Sequence, residues 1–156
     1  MLEVDIPGRG IIQLEYAVFD FNGTLALDGK LLPGVKERLE SISKFLQIIV
    51  LTADTFGLCR QSLEGIDCKI EIIKADIGAP AKLQFIEQLG AEKVVAFGNG
   101  QNDHLMLGRA ALGILVLGPE GTSVKSLTAA DIAVTDITSA LELLLKPKRL
   151  IATLRE

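Results

Sequence analysis

The sequence predicts an α/β fold in which a parallel sheet is covered on both faces. Two observations carry this. Short apolar runs alternate with segments of helical period along the 156 residues. The runs are continuous rather than alternating, as buried parallel strands with crossover helices require. The strand–helix unit recurs about five times behind a small N-terminal hairpin.

Leu2 to Ile6 and Gly10 to Leu14 flank "PGRG" and read as that hairpin. Tyr16-Ala-Val-Phe19 is a short buried strand ending at Asp20. In "LALDGKLL", Asp28-Gly29 between apolar flanks signals a tight turn. "PGVKERLESISKF" places Val35, Leu39, Ile42 and Leu46 on one helical stripe. "QIIVLT" is the next strand, ending at Thr52. Asp54 or Thr55 is expected to cap a helix with Phe56, Cys59 and Leu63 on one face, stopping near Gly65. "CKIEII" alternates, which suits a position nearer the sheet edge. "PAKLQFIEQLG" begins with Pro and ends with Gly, as helices do. "VVAFG" is a strand, "NDHLMLGRAA" a helix with Asn102 or Asp103 near its cap, "GILVLG" a strand, "TSVKSLTAA" a helix and "DIAVT" a strand. "DITSALELLL" closes the series with Ile137, Ala140, Leu141, Leu144 and Leu145 on one stripe.

No break in composition divides the chain, so one domain is expected: a hairpin over 1–15, a core over 16–145 and a tail over 146–156. Apolar residues make up 49% but aromatic ones only 4%, with no Trp, so the core must be built from Leu, Ile, Val and Ala. A net charge of −4 gives no electrostatic basis for binding nucleic acid or an anionic membrane. The basic cluster Lys146, Lys148 and Arg149 is short and tail-like. No stretch is long and apolar enough to span a bilayer, and "MLEVDIPGRG" lacks the pattern of a signal peptide. Cys59 and Cys68 form neither a CxxC pair nor a ligand cluster, and read as reduced core residues of a cytoplasmic protein.

In open parallel sheets, ligands bind beyond the carboxyl ends of central strands. That rule selects "DFNGTLA" from Asp20, "LTAD" with Thr52, and "GNGQND" with Asn99, Asn102 and Asp103; the helix opening "PAK" adds Lys82. Together these residue types suit phosphoryl transfer. A carboxylate can attack phosphorus and form an acyl phosphate. A hydroxyl and an ammonium can hold the equatorial oxygens, where charge spreads in the transition state. A second carboxylate cluster can hold Mg²⁺, which takes oxygen ligands and keeps several waters. Glycines after the strands, Gly23 among them, let backbone approach an anion. Each residue also has a plainer reading. Asp20 can be a strand-end cap, Thr52 a turn cap, Lys82 a solvated helix residue, and Asp103 a helix N-cap. Asn99 and Asn102 can serve turn geometry, and Lys74 is the rival to Lys82. His104, the only histidine, reads as solvated.

The four motifs "DFNGTLA", "LTAD", "PAK" and "GNGQND" occur in the order of the haloacid dehalogenase superfamily, and the chain most resembles the phosphorylation domain of P-type ATPases. The resemblance continues through "DHLMLGRAALGILVLGPEGTSVKSLTAADIAVTDITSALELL" and so covers Tyr16 to Leu145. It implies a Rossmann-like three-layer α/β/α sandwich. It matches Asp20 to the nucleophile, Thr24 to the structural threonine, Thr52 and Lys82 to the phosphate-binding residues, and Asp103 to the second acidic residue of the metal motif. The backbone carbonyl of Asn22 would be a further Mg²⁺ ligand, with Asp20, Asn99 and Asp103. Two positions depart from the pattern. Phosphatases of the superfamily usually carry a general acid–base Asp where this chain has Asn22; losing such a group typically costs about 10²–10⁴-fold in rate. P-type ATPases use Thr there, which suits a long-lived aspartyl phosphate. Asn99 stands where the family usually has the first Asp of the metal motif, so Mg²⁺ binding should be weaker.

The expectation is therefore a slow, Mg²⁺-dependent phosphohydrolase acting on a phosphorylated substrate. A phosphoryl-accepting or phospho-ligand-binding module with little turnover is the rival, and a structural subunit docking a partner a third reading. Neither Thr24 to Thr52 nor Thr52 to Lys82 has room for a cap domain, so the site is expected to be open, or closed by a neighbouring subunit of a homo-oligomer.

Overall fold

The computed structural model describes residues 1–53 and 57–156. The expected caps Asp54 and Thr55, and Phe56, lie outside the described residues. Strands β1 (Leu2–Ile6) and β2 (Gly10–Leu14) form the antiparallel hairpin. Then follow β3 (Tyr16–Asp20) and a two-residue ribbon of β4 (Ala26–Leu27) and β5 (Lys30–Leu31). Asp28 (φ 51°) and Gly29 (φ 79°) turn this ribbon with both central residues left-handed, the geometry Asp-Gly favours in two-residue hairpins. The chain continues through α1 (Val35–Ile42), β6 (Gln47–Thr52), α2 (Leu58–Ser62), β7 (Cys68–Ile72), α3 (Gly78–Leu89), β8 (Val94–Gly98) and α4 (His104–Arg109). It closes with β9 (Leu112–Val116), α5 (Val124–Ala129), β10 (Ile132–Val134), α6 (Ile137–Leu145) and α7 (Pro147–Leu154).

Six strands form one parallel sheet in the order β10-β9-β8-β3-β6-β7. Strand side chains alternate between two apolar layers. Ala17, Phe19, Ile48, Val50, Val95 and Phe97 face one, with Val35, Leu39, Ile42, Leu141 and Leu144 from α1 and α6. Val18, Ile49, Leu51, Val94 and Ala96 face the other, with Ile86, Met106 and Leu107 from α3 and α4. The Phe19 and Phe97 rings stack at 4.4 Å across the β3–β8 pair. The three-layer α/β/α expectation is met. The alternating strand β7 is indeed an edge, with Lys69, Glu71 and Ile72 exposed.

The differences are local. The first helix stops at Ile42, and Leu46 is buried from the turn beyond it rather than from a longer helix. Helix α3 starts at Gly78, ahead of Pro80, which costs nothing because first-turn N–H groups lack helical partners. A 3₁₀ turn, Gln101–Asp103, precedes α4, so that helix begins later than its sequence pattern. The expected tail is helix α7, which buries Leu150 and packs on β1. Its basic cluster is partly absorbed by Glu142, which pairs with Lys146 (2.6 Å) and Arg149 (3.7 Å), and with Arg38 of α1 (3.0 Å).

After β3 the chain builds outward to β6 and β7, then returns across the sheet to β8 and builds the other way. The order therefore reverses between β3 and β8. A crevice opens at the carboxyl ends of such a pair, and Asp20 and Asn99 stand on its two sides.

Candidate active site

Asp20 ends β3 with its side chain 13% exposed. Its Oδ1 accepts from Lys82 Nζ at 2.7 Å. Lys82 reaches it from α3, and the same Nζ donates to Asp103 Oδ1 at 2.6 Å. Both Lys82 and Asp103 are buried. The other Asp103 oxygen, Oδ2, accepts from the backbone N–H groups of Asn99 (3.1 Å) and Gly100 (3.0 Å). The 3₁₀ turn brings Asp103 back under β8 in this way. Only glycine fits at position 98: an added Cβ would lie 2.5 Å from Asp103 Cγ.

Thr24 Oγ1 lies 3.1 Å from Asp20 Oδ2 and 3.2 Å from Asn99 Oδ1. Asn99 Nδ2 donates to Gly121 O at 3.0 Å. That bond sets the amide so that its oxygen, not its nitrogen, meets the Thr24 hydroxyl. Thr52 is buried at the end of β6, the strand beside β3.

The electrostatics follow from burial. Desolvation and the neighbouring Asp103 carboxylate push Asp20 up to about 6, against the pull of Lys82 and the Thr24 hydrogen bond. Burial disfavours the Lys82 charge too, but the two carboxylates outweigh it and hold the ammonium above its ordinary value. Asp20 is therefore mainly ionised at neutral pH, with a basicity above that of an ordinary carboxylate.

These groups open onto a cleft of about 640 Å³. Asp20, Asn22, Thr52, Lys82, Asn99 and Asn102 all line it, so the motifs separated in sequence meet in one place. Lys74 lines it as well, at a more exposed position than Lys82. His104 is not among the described lining residues; its Nδ1 is 2.7 Å from Gln101 O.

Two expected contributions take a different form. The Gly23 N–H is donated to Ala26 O at 2.7 Å, so what Gly23 offers the cleft is room. At φ 83°, an added Cβ would come within 2.6 Å of both Asn99 Nδ2 and Glu120 Oε2. The Asn22 side chain is engaged with the β4–β5 ribbon: its Oδ1 accepts from Gly29 N at 3.1 Å. Ser62 Oγ of α2 donates to Gly29 O at 2.6 Å, and Leu58 packs on the Gly29 Cα. The ribbon tip is thus clamped at the lip of the cleft.

Sequence reasoning missed Glu120, Asp28, Leu58 and Ile73, which also line the cleft. Glu120 follows β9, so the rule of strand carboxyl ends, extended one strand outward, would have found it.

No family model matches the chain. One uncharacterized protein of Methanocaldococcus jannaschii is 49% identical over 80 residues, spanning 49% of this chain and 86% of its own length. A second from the same organism is 50% identical over 41 residues, 26% of this chain and 93% of its own. Among solved structures, 3-deoxy-D-manno-octulosonate 8-phosphate phosphatase of Moraxella catarrhalis, in complex with magnesium, phosphate and KDO, superposes with a TM-score of 0.71 at 17% identity, over 90% of this chain and 92% of that one. The catalytic domain of the CPx-ATPase CopB-B gives 0.60 at 24% identity, over 73% of this chain and 45% of that one. At these identities the structural likenesses establish the fold.

Proposed function

We propose, for a chain that belongs to the same family as the Methanocaldococcus jannaschii protein it matches and that has the fold of the haloacid dehalogenase superfamily, a Mg²⁺-dependent phosphohydrolase working through an aspartyl phosphate. The observation that carries this reading is the buried Asp20–Lys82–Asp103 chain at the switch point of the sheet, with Thr52 beside it. The Moraxella phosphatase, which shares the fold, holds magnesium and phosphate.

The donor set fits such a cation. Asp20 offers a carboxylate and Asn99 an amide oxygen, the Asn22 backbone carbonyl would be a further donor, and Asp103, engaged by Lys82 and two backbone N–H groups, lies behind them. All are hard oxygen donors, and one or two carboxylates with substrate oxygens are what Mg²⁺ commonly takes. When bound, Mg²⁺ neutralises charge on the phosphoryl oxygens.

The chain's own residues do the rest. An Asp20 carboxylate oxygen forms a bond to phosphorus as the bond to the leaving oxygen breaks, with the leaving group taking a proton from solvent. Lys82 and Thr52 hold the equatorial oxygens in line. Water then attacks phosphorus, the Asp20–phosphorus bond breaks and inorganic phosphate leaves. Asn22 can neither protonate the leaving group nor take a proton from the attacking water, and its amide is held by Gly29, which supports slow turnover. The same observation favours the second reading, a module that keeps its phosphoryl group.

The test is phosphate release from an aryl phosphate with excess Mg²⁺, comparing wild type with Asp20→Ala. Sustained release lost in the variant is the expected result. Free aryl alcohol that stops near one equivalent per chain, with no phosphate released, selects the phosphoryl-holding module, and release unchanged in the variant refutes both.

A further inference from the structure

The phosphoryl site is short of negative charge for holding a divalent cation, because Asn99 is neutral and Asn22 offers only a carbonyl. Glu120 stands where that charge is missing. Its Oε2 and the Asn99 amide both border the space left open by the absent Gly23 side chain. Among the described residues Glu120 makes no hydrogen bond or ion pair, whereas Asp20 and Asp103 are both engaged.

Its position is built rather than incidental. The 118–121 loop is fixed at both ends to the loops that form the site. At Gly118 an added Cβ would sit 2.4 Å from Gly23 O, so only glycine allows the loop to lie directly on that peptide. At Gly121 the carbonyl accepts from Asn99 Nδ2 at 3.0 Å, and Ser123 N donates to Asn99 O at 2.8 Å. Glu120 sits between these anchors and lines the cleft with Asp20 and Asn99.

We propose that Glu120 supplies the charge Asn99 lacks, acting through water on the cation held by Asp20 and the Asn22 carbonyl in front of Asp103. This rests on the metal-dependent reading above. A carboxylate beside a phosphoryl site repels a phosphate dianion unless a cation lies between them, so a free Glu120 there is counterproductive without one. Action through water follows from spacing: among the described residues no three His, Cys, Asp or Glu side chains converge closely enough to hold a metal together. Glu120 is therefore a positioning residue for the cation and its water.

Mn²⁺ is the probe, its free concentration read by electron paramagnetic resonance on the full chain without substrate. Glu120→Gln keeps shape and removes charge at an exposed position, and should weaken Mn²⁺ binding about 10-fold, as loss of an outer-shell partner does. The loss should shrink as ionic strength rises, since an exposed charge is screened. Adding Asn99→Asp to Glu120→Gln should restore affinity towards wild type. Glu120→Gln binding within twofold of wild type overturns the proposal, as does a weakening that neither salt nor Asn99→Asp changes. Wild type that binds no Mn²⁺ at millimolar concentration overturns the metal reading itself and this inference with it. Wild type that binds while Glu120→Gln binds equally well overturns this inference alone.

Discussion

Asp20→Asn should make the metal-free protein more stable while ending its chemistry. Asp20 is raised from 3.8 to about 6 by burial and by Asp103. A carboxyl raised in the folded state binds its proton more tightly there than in the unfolded chain. Stability is therefore intact below the unfolded value and is lost as pH rises from about 4 to about 6. At roughly 1.4 kcal/mol per unit, ionising Asp20 costs the native state about 3 kcal/mol at pH 7.5. An amide removes that charge in nearly the same shape, but its NH₂ is a poorer neighbour for Lys82 than a protonated carboxyl. A net gain of about 1–3 kcal/mol remains, or several degrees in melting temperature for a domain of this size. The assay is urea unfolding with a chelator, at pH 7.5 and pH 4. The gain should be present at pH 7.5 and largely gone at pH 4, where wild-type Asp20 is itself protonated. Mg²⁺ at pH 7.5 should close the gap by stabilising wild type more than the variant. A variant no more stable than wild type at pH 7.5, or one with the same gain at both pH values, refutes the reasoning.

Lys82→Met leaves Asp20 and Asp103 facing each other without their shared cation, and should cost about 3–5 kcal/mol at pH 7.5 by urea unfolding, less at pH 5 as Asp20 takes up a proton. Gly98→Ala must displace Asp103 from its two backbone donors, and should cost about 1–3 kcal/mol in the same assay and weaken Mn²⁺ binding. Asp136 caps α6 through Ser139 N and is held down at about 2 by its Thr138 and Ser139 hydrogen bonds. Asp136→Ala should cost about 0.5–2 kcal/mol at pH 7, a difference that fades as pH falls from about 4 to about 2, where the wild-type carboxylate protonates.

The sheet was legible because a strand buried on both faces must be apolar throughout, so β3, β6, β8 and β9 announce themselves as uninterrupted runs. Their carboxyl ends then identify Asp20, Thr52 and Asn99 without any knowledge of strand order. Helix α7 was harder, since Lys146, Lys148 and Arg149 read as solvated tail and its docking depends on β1, at the other end of the chain. The pairing of Lys82 with two carboxylates at once is a product of three-dimensional spacing, which no motif encodes.

Asn22 and Glu120 show why substitution at a motif position is an incomplete guide to a site. Read along the chain, Asn22 is a lost proton donor. In space its amide joins Ser62 and Leu58 in fixing the ribbon tip, so the position has a structural partner that an acid would also satisfy: a carboxylate accepts from Gly29 N as well as an amide does. Read along the chain, Asn99 is a lost metal-site charge. In space the same amide turns its oxygen to the Thr24 hydroxyl that also meets Asp20, because Gly121 takes its nitrogen, and the loop making that bond carries Glu120. A second Asp at position 99 would have no amide to give Gly121. Asn99 and the 118–121 loop are thus one unit: the residue that lacks the charge anchors the loop that carries one.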